Sequence, residues 1–248
     1  MARLLVFTLA PESEQRRRRL LPSAYANLER RLHRQGLEQA LRAGLELGWE
    51  VSVCAPRPLS LPSTVAQRQQ GAGLFGERLR RVVAQEESEG PASPVPLVIV
   101  GSDCPGLGRR HLNRAAIALA GDPSRVVIGP SSDGGFYLLA AAQPVSSLLA
   151  SVVWRSRSTR ASLVAACRAA GRPVVFLEPL ADLDRPRDLD LVIATARRLS
   201  VAWRALTAAV APILAARRAP CVLRVIGRPL FAPGEAHCGR APPQPLGF

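Results

Sequence analysis

The stretch LVIVGSDCPGL, residues 97–107, restricts the fold of this chain more than any other. Leu97–Val100 is a continuous, mostly β-branched apolar run of strand length, the pattern of a strand buried on both faces in a helix-covered parallel sheet. Gly101 lets the backbone turn, and Asp103 follows just past the strand's carboxyl end. Pro105 and Gly106 then hold the loop before a helix begins near Arg109. In open α/β sheets this crevice is where ligands bind. Taken alone, Asp103 reads equally well as a helix cap or a turn tether.

The chain around it repeats the strand-helix alternation. Residues 3–9 read as a first strand, and residues 11–19 as a polar loop that ends in four arginines. Residues 28–47 have helical spacing through Leu28, Leu32, Leu37, Leu41 and Leu45, and a second strand follows over 50–54. Gly71, Gly73 and Gly76 satisfy the G-x-G-x-x-G spacing of dinucleotide sites, but the segment before them, residues 67–70, is polar and does not read as a strand. That context argues against the nicotinamide and flavin reading. Gly71 and Gly73 are expected instead in a flexible loop close to a ligand, leading into a helix over 77–85.

A helix over 110–120 and a strand over 125–128 come next. Ser131 to Gly135 then forms a turn in which Asp133 stands beside Gly134 and Gly135, on a backbone free to adopt positive φ and approach a ligand. An apolar strand up to Ala141, helices near Ser147 and over 158–170, and a strand over 173–177 follow. That strand runs into a third acidic loop with Asp182 and Asp184, before a helix with Pro186 as its first residue and Asp188 in its first turn. Three acidic loops thus follow three apolar strands. Carboxylates gathered at one sheet edge repel one another unless a cation lies between them, and a divalent metal with a polyphosphate resolves the conflict.

Composition excludes several functions. The chain has 248 residues and 48% hydrophobic content, enough for a large buried core. All 33 basic residues are arginine and the net charge is +14. The arginines are scattered, however, and aromatics make up only 4%, too few for stacking platforms, so no specific nucleic acid is expected. A basic surface that draws small anionic substrates is expected. The five cysteines are widely spaced without a C-x-x-C pair, which points to reduced thiols in the cytoplasm and to neither disulfides nor zinc. No apolar run reaches transmembrane length. No histidine is placed as a general base, with His33 inside a helix, His111 at the start of one and His237 in the tail.

The order of QRQQGAGLFGERL (67–79), VIVGSDCPGL (98–107), VIGPSSDGGFYLL (127–139), Trp154 and DLDRPRDL (182–189) resembles the DUF2064 family, over roughly residues 1–198. The resemblance implies a three-layer α/β/α sandwich with a mostly parallel central sheet, of the glycosyltransferase-A, nucleotide-diphospho-sugar transferase type. It implies a domain over 1–200 and an extension over 201–248, and a transferase that moves a sugar from a nucleotide-activated donor. A nucleotidyltransferase or a non-catalytic binding protein on the same fold stays open.

The resemblance further implies that Asp103 and Asp184 contact a divalent ion, Mg²⁺ or Mn²⁺, and that Asp133 acts with them. Ser102, Gly134 and Gly135 would lie against substrate. Relatives carry a Lys-Thr-Arg-Leu-like motif in the first loop; here the loop reads PESEQRRRRLLP, so Arg18 or Arg19 takes the cationic role toward phosphate. The extension reads as a helix over 202–216, a strand over 221–226 and a Pro/Gly-rich tail. That helix could pack on the domain, carry a homo-oligomer contact or rest on a membrane surface, and packing is expected.

Overall fold

The computed structural model describes residues 2–90 and 95–218. Seven strands form one sheet: β1 Arg3–Phe7, β2 Glu50–Ala55, β3 Ala66–Gln69, β4 Leu97–Val100, β5 Val126–Pro130, β6 Phe136–Ala141 and β7 Val174–Phe176. Their order across the sheet is β3-β2-β1-β4-β6-β5-β7, and every pairing is parallel except those of β6, which runs antiparallel to β4 and β5. β6 follows β5 through the tight Ser131–Gly135 turn, too short for a parallel crossover.

Helices α1 Pro11–Arg18, α2 Ala26–Leu45, α3 Phe75–Glu89, α4 Arg109–Gly121, α5 Ser146–Leu149, α6 Thr159–Ala169, α7 Asp188–Ala194 and α8 Val201–Arg218 complete the described fold. Period-two alternation sorts the strand residues onto two faces. Leu4, Val6, Val51, Val53, Val98 and Val100 pack with Leu37 and Leu41 of α2 and Leu112 and Leu119 of α4. Leu5, Cys54, Leu97, Ile99 and Leu139 pack on the other side with Leu79, Val82 and Val83 of α3 and Leu163 of α6. The result is the expected three-layer α/β/α sandwich.

Three local readings change. The segment read as a polar loop at 11–19 is a helix, α1. Pro11 stands in its first turn, Glu12 and Glu14 face the positive end of the helix dipole, and Arg16, Arg17 and Arg18 occupy the last turn. A sequence without apolar periodicity thus folds as a helix through charge placement. The polar segment before the glycines is an edge strand, β3, whose exposed face needs no apolar residues. α7 begins at Asp188 instead of Pro186.

α8 packs on the domain. Its Trp203, Leu206, Val210 and Leu214 join Leu32 of α2, Leu189 and Val192 of α7, and Leu20, Leu21 and Leu183 in a third apolar cluster. The strand expected over 221–226 and the tail lie outside the described residues. Among the described residues no helix is long and apolar enough to cross a membrane.

Candidate functional site

The carboxyl ends of β1, β4, β5 and β7 open on one cleft of about 710 Å³. Its floor is the loop after β4. The Ser102 hydroxyl lies 2.6 Å from Thr8 Oγ1 at the end of β1, which fixes the turn that presents Asp103. The backbone N–H of Leu183 donates to the Asp103 carbonyl at 2.9 Å, so the loop after β4 and the loop after β7 are stitched together. Asp182 and Asp184 are two apart in that second loop. Leu183, between them, is buried in the apolar cluster against α8 while both acids line the cleft.

Asp133 sits in the turn between β5 and β6. Its Oδ1 accepts from the Gly135 N–H at 2.8 Å and from the Ser131 hydroxyl, a local arrangement that shapes the turn. Gly134 has φ +96° and lies so close to the Arg157 carbonyl that a Cβ would collide with it, and the Arg160 N–H donates to the Gly134 carbonyl at 3.0 Å. The turn is therefore pressed against the segment that leads into α6.

Oxygen atoms of Asp133, Asp182 and Asp184 lie within 4.8 Å of one another. This set is all carboxylate, the hard-oxygen chemistry that suits Mg²⁺ or Mn²⁺ and not zinc. Asp182 is buried; burial, with the nearby Asp133 and Asp103 adding to it, pushes its carboxyl up to about 6, while the Ser132 hydroxyl at 3.1 Å favours its charged form. Such a group is short of positive charge. Sequence reasoning grouped Asp103 with Asp184; in the structure these two meet at Arg18, and Asp184 also lies with Asp133 and Asp182. Asp182 was visible in the Asp-Leu-Asp spacing, which in extended chain turns both acids to one side.

Asp103 faces a guanidinium instead. Arg18, at the end of α1, donates from Nη2 to Asp103 Oδ2 at 2.8 Å and from Nε to Glu14 Oε2 at 2.7 Å, and its Nη1 forms an ion pair with Asp184. Burial opposes its charge, but Asp103 and Glu14 outweigh that and hold its pKa above the ordinary arginine value. Arg19 is exposed, takes the left-handed conformation that ends α1, and is not among the residues lining the cleft.

Gly71 and Gly73 do not line the cleft either. They have φ of +68° and +113° and turn the chain from β3 into α3. Between them and the cleft stands Gln70, almost fully buried. Its amide donates to the carbonyls of Thr8 and Cys54, at 2.7 and 3.1 Å, and its Oε1 accepts from Arg78, which lines the cleft together with Phe75. Ser102 and Gly135 line the cleft; Gly134 stands just behind it.

Cys104 is buried beside Asp103, and burial, reinforced by Asp103 and Asp182, raises its thiol well above the ordinary value, which disqualifies it as a thiolate nucleophile. His33 and His111 lie outside the cleft. His111 caps α4 through Nδ1, which accepts from the Gly108 N–H at 3.1 Å, and burial with Arg110 lowers its pKa.

No curated protein matches the sequence. Among solved structures, the chain resembles a Desulfovibrio desulfuricans G20 protein provisionally named a nucleotide-diphospho-sugar transferase. The TM-score is 0.72 at 20% identity, over 87% of this chain and 98% of that one. Weaker likeness extends to a 4-diphosphocytidyl-2C-methyl-D-erythritol synthase, with TM-score 0.48 and 13% identity over 77% of this chain and 97% of that one. It extends also to Rv0371c of Mycobacterium tuberculosis H37Rv in complex with manganese, with TM-score 0.43 and 17% identity over 80% and 98%. The first likeness establishes the nucleotide-diphospho-sugar transferase fold. Residues 26–156, just over half of the sequence, match a family described as an uncharacterized protein conserved in bacteria. The chain belongs to that family, DUF2064.

Proposed function

We propose that this protein is a transferase that uses a divalent metal ion to move a sugar from a nucleotide-diphosphate donor to an acceptor. The observation that carries the reading is the convergence of Asp133, Asp182 and Asp184 within 4.8 Å in a cleft at the sheet's carboxyl edge. The donor set fits Mg²⁺ or Mn²⁺, which when bound would supply positive charge against a diphosphate leaving group. The chain's own cations add to this: Arg17, Arg18, Arg78, Arg185 and Arg187 line the same cleft as the acids and suit phosphate oxygens. Phe75, Phe136 and Trp154 form an apolar wall with ring centroids 5.3 and 6.0 Å apart, a surface on which a base or sugar face can lie.

Asp103 orients Arg18, Ser102 and Thr8 fix the loop beneath it, and the Gly134 turn sets Asp133. Residence in the cytoplasm, where the buried Cys54, Cys104 and Cys167 would stay reduced, belongs to the same proposal.

A panel of nucleotide sugars incubated with Mn²⁺ tests the reading, with released nucleotide measured. Nucleoside diphosphate should appear in a metal-dependent manner and be lost in Asp184→Asn. Pyrophosphate released from a nucleoside triphosphate and a sugar phosphate would assign nucleotidyl transfer instead, and metal-dependent binding without turnover would assign a non-catalytic role.

A further inference from the structure

Arg18 is the most heavily engaged side chain of the cleft. Its side chain is only 5% exposed, and it meets three carboxylates from three different segments: Glu14 on its own helix, Asp103 after β4 and Asp184 after β7. It also donates to the Leu183 carbonyl from Nη1, at 2.5 Å. A guanidinium has five N–H donors. Three are taken by Glu14, Leu183 and Asp103, and Nη1 is also ion-paired with Asp184, so Arg18 as it stands presents no free fork to a phosphate.

One of its partners is shared. Asp184 belongs both to the Arg18 contacts and to the cluster with Asp133 and Asp182. It is also the most exposed of the three acids, at 39% against 28% for Asp103 and 8% for Glu14. Glu14 holds the arginine from four residues away on α1, a contact that survives any change in the loop after β7. Of the three carboxylates, Asp184 is therefore the one that can be given up.

We propose that Arg18 is the resident counter-cation of Asp184 and competes with a divalent ion for it, and that Nη1, once it loses its carboxylate partner to the ion, is the donor's diphosphate contact. The inference rests on the metal reading above and adds an order to it: cation first, then diphosphate. Without donor, Arg18 weakens cation binding because a formed charge pair must be broken. With donor, the phosphate replaces Asp184 as the acceptor for Nη1, so each ligand strengthens the other by the same factor. The altered first loop, which has arginines where a lysine was expected, then has a physical consequence. A planar fork can hold two acids at once and a lysine ammonium does so with less geometric control.

The test is a titration with Mn²⁺ alone, followed by the paramagnetic resonance of the free ion, on the full chain and on Arg18→Met, Arg18→Lys, Arg16→Met and Asp184→Asn. Arg18→Met should bind Mn²⁺ about tenfold more tightly than the unaltered protein, or better, with Arg18→Lys between them. Arg16 lies on the same helix but is exposed and does not line the cleft, so Arg16→Met should change the affinity by less than about threefold. Thermal melting identifies any variant that fails to fold, and Arg18→Lys then carries the comparison.

Equal or weaker Mn²⁺ binding by folded Arg18 variants, still abolished by Asp184→Asn, would overturn the role of Arg18 and leave the metal site standing. An equal gain in Arg16→Met would reduce the effect to general charge and overturn the role likewise. No Mn²⁺ binding by any form would overturn the metal site itself.

Discussion

Gly36 of α2 passes so close to Ser102 that a Cβ at this position would collide with the Ser102 carbonyl, with the Trp203 ring 3.8 Å away on the other side. The loop that carries Asp103 thus rests on the helix at a point where it has no side chain. Ser102 is held from above by Thr8, so it cannot simply rise. Helix propensity alone would make Gly36→Ala stabilising by about 1 kcal/mol. The contact predicts the reverse: a lower melting temperature, together with weaker nucleotide binding because Asp103 and Arg18 move with the loop. A variant more stable than the parent would contradict this.

Asp182 makes metal-free stability depend on pH. Its carboxyl is pushed up to about 6 in the folded protein, chiefly by burial, whereas an unfolded aspartate titrates near 3.9. Between these values the folded state keeps a proton that the unfolded state has lost. The contribution is therefore favourable in acid and is lost as pH rises through about 6, by about 3 kcal/mol at most. Asp182→Asn, neutral at every pH, should be more stable than the parent in urea with chelator at about pH 7.5, and the gap should close near pH 4. Mn²⁺ should narrow the gap at the higher pH by supplying the missing charge, and its affinity for the parent should fall as pH drops below about 6. A less stable Asp182→Asn at neutral pH would show that the carboxylate is already well compensated.

The strands that form the centre of the sheet were legible because burial on both faces leaves unbroken apolar runs, as in Leu97–Val100 and Val126–Pro130. α1 and β3 were not, for a common reason: neither is specified by hydrophobic period. α1 buries mainly Glu14 and Arg18 and forms through its charge arrangement, and β3 is an edge strand with a polar exposed face. The same gap hid part of the site. Asp103, Asp133 and Asp184 could each be placed at a strand end, but which of them meet depends on the hydrogen bond from Leu183 to Asp103 and on where Arg18 ends its helix. Gln70 lay within the QRQQG stretch that carries the resemblance, but its role had no local signal, because the carbonyls that pin it belong to Thr8, just past β1, and to Cys54 of β2.

The boundary expected after residue 200 crosses a packed interface. Trp203 is 1% exposed and sits with Leu32 of α2 and with Leu183, the residue between Asp182 and Asp184. Truncating it to alanine should cost about 3–5 kcal/mol, the range for large aromatic residues in cores. Its indole N–H has no hydrogen-bond partner among the described residues, so part of the tryptophan's bulk is buried at a polar cost. Trp203→Phe removes that donor and should cost far less than Trp203→Ala. Urea unfolding of the two variants measures both. Because Leu183 leans on this ring, Trp203→Ala should also loosen the loop after β7 and weaken Mn²⁺ binding, while Trp203→Phe should keep it. Loss of stability without any change in Mn²⁺ affinity would mean that the acid loop is held by its stitch to Asp103 alone and that α8 supports the fold but not the site.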